Sequence, residues 1–123
     1  MSEDDKPIHF IGSSMGDVCA FPDEVRSQVG HALRIAQQGG KVEYTKPLKG
    51  ISPKTIEIVE DFDKDTYRAV YTVKLEPAVY VLHAFKKKSK TGIKTPQQDI
   101  DLIKKRLKTA EEHHQKTYKG KKK

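Results

Sequence analysis

Between Thr66 and Pro96 the chain reads TYRAVYTVKLEPAVYVLHAFKKKSKTGIKTP, and this stretch restricts the fold more than any other. Tyr67, Ala69, Tyr71 and Val73 alternate with Arg68, Val70 and Thr72. After Glu76-Pro77, Val79, Val81, His83 and Phe85 alternate with Tyr80, Leu82 and Ala84. Aromatic and β-branched residues at a period of two predict a pair of strands joined by a tight turn. Val79 to Phe85 is apolar almost throughout, so the second strand is expected to be central and covered on both faces. Lys86, Lys87, Lys88 and Lys90 follow directly. A rigid strand ending in four cations is a scaffold that presents charge to a phosphate backbone.

Capping and periodicity supply the other elements. Ile8–Ile11 reads as a short strand and Gly12-Ser13-Ser14 as a turn, with Ser14 and Asp17 opening one or two helical turns over Met15–Phe21. Phe21-Pro22-Asp23-Glu24 starts a longer helix with Pro22 at its first position. Val25, Val29, Ala32, Leu33 and Ala36 form its apolar stripe, and Gly39-Gly40 ends it. Lys41–Pro53 shows no period and is expected to be irregular. Thr55–Asp61 predicts a strand with Ile56 and Ile58 on one face, Glu57 and Val59 on the other. Thr95-Pro96-Gln97-Gln98 reads as a capping box. The helix it opens carries Ile100, Ile103, Leu107 and Ala110 on one stripe, with Lys104, Lys105 and Lys108 off it. This helix is expected to fade near Glu112–Lys116. The order β–α–α–β–β–β–α predicts one small α+β domain over residues 1–123, a mainly antiparallel sheet with two N-terminal helices and one C-terminal helix. Residues 1–6 and 116–123 are expected to be disordered tails, the latter making only sequence-blind phosphate contacts.

Charge is distributed unevenly. Residues 1–85 hold 10 Lys/Arg against 13 Asp/Glu, whereas residues 86–123 hold 14 against 4. The C-terminal third therefore points to a polyanionic partner. No apolar run reaches the ~18 residues of a membrane span, and no secretory signal is visible, so a cytoplasmic protein is expected. Cys19 stands alone, which excludes an internal disulfide framework; it is expected to be small, apolar and buried.

Metal chemistry finds little support in the sequence. His113 and His114 are adjacent and point to different sides of a helix, and His9, His31 and His83 have no partner at ligand spacing. Neither a phosphate-binding glycine loop nor a nucleophile elbow is present, and no cofactor is implied. The cations remain. Arg68 sits in mid-strand in an apolar run, where an arginine must be paired or face a cleft. A bridge to Glu57 or Glu60 on the neighbouring strand satisfies the first condition and also holds the guanidinium fork ready for a phosphate. Lys46 and Lys49 precede that neighbouring strand, so three segments are expected to bring positive charge to one side of the sheet.

The KPLKG element (Lys46–Gly50), the TYRAVY strand (Thr66–Tyr71), VYVLHAFKKKSK (Val79–Lys90) and the Thr95-Pro96 helix opening occur together, in this order and spacing. Over about residues 8–112 this combination resembles the RelE/ParE toxin superfamily, and within it the HigB-like, phage-related toxins. The resemblance implies the toxin of a type II toxin–antitoxin pair, a ribosome-dependent endoribonuclease that cleaves messenger RNA without a metal and inhibits translation. It also implies a cognate helix-turn-helix antitoxin, in a complex that is a heterotetramer or larger.

Carried over by residue, Arg68 matches the strand arginine used on the scissile phosphate, and Lys87 the basic residue after the last strand. Lys46 falls where some relatives keep an acid–base group. Lys49, Lys86, Lys88, Lys90 and Lys94 are the implied RNA-binding residues. Two departures stand out. RelE-type relatives carry lysines on the strand before the arginine, where this chain has Glu57 and Val59, and no tyrosine or histidine after the last strand clearly replaces their aromatic acid–base residue. In the implied reaction a base takes the ribose 2′-hydroxyl proton, the oxygen attacks the adjacent phosphorus, and an acid protonates the leaving 5′-oxygen. Cations stabilise the added negative charge. His83 is a possible base, although core packing suits its strand position better. A ParE-like inhibitor of DNA gyrase and a non-catalytic nucleic-acid-binding protein of phage origin are the alternatives.

Overall fold

The computed structural model describes residues 5–87 and 95–119. Lys88, Lys90 and Lys94 lie outside the described residues. The elements run β1 (Ile8–Phe10), α1 (Ser14–Cys19), α2 (Asp23–Gln37), β2 (Thr45–Pro47), β3 (Thr55–Phe62), β4 (Asp65–Thr72), β5 (Val79–Lys87) and α3 (Gln97–His114). A π-helical turn, Gln115–Lys119, extends α3. The sheet order is β1-β5-β4-β3-β2. β5, β4, β3 and β2 pair antiparallel, and β1 joins β5 in parallel. The α+β class and the mainly antiparallel sheet are as the sequence implies, with one strand more than expected. β2 falls in the segment read as irregular; three residues ending in proline are too few to show a period.

Two apolar layers sandwich the sheet. On one face Ile56, Ile58, Tyr67, Ala69, Tyr71, Val79 and Val81 meet the stripe of α2, namely Val25, Val29, Ala32, Leu33 and Ala36. On the other, Val70, Tyr80 and Leu82 meet Ile103, Leu107 and Ala110 of α3. β5 is thus covered on both sides, as its apolar run requires. Asp63 and Lys64 both take left-handed φ values, 49° and 72°, and so form the tight two-residue turn between β3 and β4. Cys19 is exposed rather than buried: α1 turns Ser14 and Val18 inward, and the cysteine lies one residue past that stripe.

The strict alternation of β5 breaks at one point. Val70 pairs with His83 but Tyr71 pairs with Val81, so Leu82 is an extra residue, a β-bulge. Beyond the bulge the faces exchange. His83 and Phe85 therefore lie on the α3 side with Leu82, and Ala84 joins Val79 and Val81 on the α2 side.

The chain also holds its shape further than the tail reading allows. Tyr118 in the π turn lies 2.7 Å from His9 Nε2 through its hydroxyl, and Tyr80 Oη lies 2.7 Å from His113 Nδ1. His114 bonds the Glu76 carbonyl. Cutting the chain after Gln115 is accordingly expected to lower stability by about 1–2 kcal/mol, through loss of the part-buried Tyr118 and its bond to β1. Comparing the melting of the shortened and full chains checks this; unchanged melting would return the segment to a passive tail.

The same cluster makes stability depend on pH. Burial pushes the His9 imidazole below its ordinary value of 6.5, and the neighbouring His113 ring, 4.6 Å away between centroids, adds to the effect. The unfolded chain therefore binds the extra proton first. Stability is full above about pH 6.5, falls as pH drops from there through the lowered folded value, and then levels off. Melting between about pH 8 and pH 5 is expected to show this decline, and His9→Gln to reduce it.

Candidate active site

Arg68 lies between Val59 and Phe85, its register partners on β3 and β5, on the α3 side of the sheet. It is 4% exposed, and Glu57 is 1% exposed. Arg68 Nη1 comes within 3.1 Å of Glu57 Oε1, an ion-pair distance. The approach is off the N–H direction, however, and Nε and Nη1 are buried without a hydrogen-bond acceptor. The pair is thus coulombic, and part of the guanidinium fork is unsatisfied. Glu57 is better placed on its other oxygen, where Thr95 Oγ1 donates a 2.8 Å bond to Oε2. Thr95 thereby serves the sheet rather than capping α3, whose N-terminal residue, Pro96, makes no side-chain cap. Glu60, the other candidate partner of Arg68, lies on the α2 face with Ile56 and Ile58. There burial first, then Asp61 and Glu24, raises its carboxyl above the ordinary range.

The lysines divide between the two faces. Lys46 is register-paired with Glu57, so it shares the Arg68 face, and it is exposed. Lys87 pairs with Thr66 and lies on that face too, half-buried. Lys86 pairs with Tyr67 on the opposite face, beside an open groove of about 450 Å³ lined also by Asp17, Ala20 and Phe21. Lys86 lies 3.7 Å from Asp65. The expectation that all the cations after β5 gather on one side of the sheet is therefore corrected for Lys86: consecutive strand residues cannot share a face. Lys49 is exposed in the turn after β2.

Next to this row sits a polar cluster that no sequence motif announces. His83 Nε2 lies 2.7 Å from Asp99 Oδ1, and its Nδ1 lies 3.5 Å from Arg106 Nη1. Arg106 also donates to the Leu82 carbonyl at the bulge (3.0 Å) and to Ser13 Oγ (3.1 Å), which in turn donates to Asp17 (2.8 Å). With Asp99 on one nitrogen and Arg106 on the other, His83 has no ring nitrogen left for a substrate; it fastens α3 to the sheet. Gly12 makes room for this clamp. It has a φ of +60°, and a Cβ there would sit 2.8 Å from Arg106 Nε. Gly12→Ala is expected to cost about 1–2 kcal/mol, measured by thermal melting. Among the described residues no group of His, Cys, Asp and Glu could hold a metal ion.

Residues 17–108 match the model of the Gp49-like phage-derived protein family. The matched region takes in β2, β4, β5 and the first two-thirds of α3, more than half of the chain. The chain belongs to the Gp49-like family, which is of the RelE/HigB type. No curated protein matches it. Among solved structures it is similar to a chain of the toxin–antitoxin complex RelBE2 from Mycobacterium tuberculosis, at 16% identity and a TM-score of 0.45, over 72% of this chain and 98% of that one. The Gp49-like match holds Lys46, Glu57, Arg68 and Lys87 in one unit, the row that the register lays across β2 to β5. Among the described residues no helix is long and apolar enough to cross a membrane.

Proposed function

We propose that this Gp49-like chain is the toxin of a type II toxin–antitoxin pair and acts as a ribosome-dependent messenger-RNA endoribonuclease in the cytoplasm. Family membership carries the reading, and the cationic row on the α3 face supports it. Arg68 takes the scissile phosphate and stabilises the charge that builds on it, since a side chain placed by a strand is held more tightly than one on a loop. Lys46 on β2 and Lys87 on β5, on the same face of the sheet as Arg68, serve as the proton-transferring and phosphate-holding groups. Lys49 and the lysines that follow β5 bind the RNA backbone. A helix-turn-helix antitoxin holds the toxin inactive in a heterotetrameric or larger complex.

One observation favours a second reading. Arg68 is buried against Glu57 rather than open to solvent, which suits a protein that binds without cutting, whether a gyrase inhibitor or a nucleic-acid-binding protein. Expression of the chain alone separates the readings. The nuclease arrests growth with messages cut inside translated regions. Arrest with intact messages and altered DNA supercoiling would establish the gyrase reading instead.

A further inference from the structure

From the Arg68–Glu57 geometry we infer that Glu57 is an internal counter-anion: its carboxylate occupies the place on the Arg68 guanidinium that a phosphodiester group takes. Three observations carry this. Arg68 is nine-tenths buried, yet Nε and Nη1 have no hydrogen-bond acceptor, so the fork has more donor capacity than Glu57 uses. An arginine fork suits the paired oxygens of a phosphate, which fill two donors at once. Glu57 also has somewhere to go. Lys46 is its direct cross-strand neighbour on the same face, and side chains so paired stand about 4.5–5.5 Å apart at Cβ. A phosphate arriving at Arg68 therefore displaces Glu57 onto Lys46 without leaving a buried carboxylate unpaired. The Thr95 hydroxyl, now on Glu57 Oε2, is the contact that must yield.

In this arrangement Glu57 sets how strongly the site competes for RNA. Against a free phosphate, wild-type Arg68 is already neutralised, so affinity is held down until other contacts deliver the ligand. The inference rests on the ribonuclease reading only for the identity of the ligand; the anion site stands or falls separately.

The test uses the full chain with Glu57→Gln, which keeps the shape and an acceptor for Thr95 but removes the charge. Inorganic phosphate is compared with chloride at matched ionic strength by thermal melting, and a single-stranded RNA oligonucleotide by fluorescence anisotropy. Phosphate is expected to raise the melting temperature of Glu57→Gln by about 4 °C while leaving the wild type unmoved. RNA is expected to bind the variant roughly tenfold tighter. Both gains should vanish when Arg68→Met is added. Equal phosphate responses in wild type and variant would overturn the inference. A phosphate response without an RNA gain would uphold the anion site and remove support from the ribonuclease reading. If Glu57→Gln does not fold, Glu57→Asp keeps the charge but withdraws it by one methylene; it should respond to phosphate in the same sense, and no response there also overturns the inference.

Discussion

On the proposed ribonuclease reading, Arg68→Ala is expected to slow cleavage sharply and to destabilise the protein at once. Removing one partner of a buried ion pair leaves the other charge uncompensated, which costs about 3–5 kcal/mol; here that charge is Glu57, 1% exposed. The loss of one preorganised charge-stabilising group lowers the rate on the order of 10²–10³-fold. A single variant therefore confounds the two effects. The pair Arg68→Met with Glu57→Leu separates them, because replacing both members of a buried pair with apolar residues of similar volume is often neutral or stabilising. The double variant is expected to melt at or above the wild type and to remain inactive. A stable double variant with full cleavage would reduce Arg68 to a structural counter-ion. Arg68→Lys should not restore activity, since an ammonium cannot make the bidentate phosphate contact.

The second large effect is expected at Arg106, which no strand or helix pattern singles out. Its guanidinium joins three elements, bonding the Leu82 carbonyl of β5, Ser13 before α1, and approaching His83. Arg106→Ala removes two charge-assisted bonds and leaves the Leu82 carbonyl at the bulge without that donor, a cost of about 2–3 kcal/mol. Arg106→Lys should recover little, because one ammonium cannot span both acceptors. The neighbouring exposed Lys105→Ala is the control and is expected to change melting by less than about 0.5 kcal/mol. Equal effects of Arg106→Ala and Lys105→Ala would show that the clamp contributes nothing.

The parts of the fold that follow from local pattern were readable in the sequence. The α2 stripe of Val25, Val29, Ala32, Leu33 and Ala36 is the buried set of that helix, and Ile103, Leu107 and Ala110 of α3 are likewise buried. Periodicity works there because one face meets one layer. It failed where a single residue changes the phase. The bulge at Leu82 carries no marker such as glycine, so the alternation of β5 assigned His83 and Phe85 to the wrong face. The same rule of two, applied past the bulge, would have separated Lys86 from Lys87. Glu57 and Arg68 were legible as possible partners because they fall on adjacent strands. That both are nearly inaccessible, and that Thr95 donates to the second carboxylate oxygen of Glu57 rather than capping a helix, is set by tertiary packing. Tyr118 was hidden by the lysines around it, a polar tail by composition that packs through one aromatic residue.

In the proposed reaction the α3-side face of β4 takes a phosphodiester and the message is cut beside it. The most direct measurement is 5′-end mapping of a message being translated by purified ribosomes after addition of the chain, with the Arg68→Met/Glu57→Leu protein alongside. New 5′ ends are expected within the translated region for the wild type and none for the double variant, which melts no lower than the wild type. An intact message with the wild type, or equal cutting by both proteins, would contradict it.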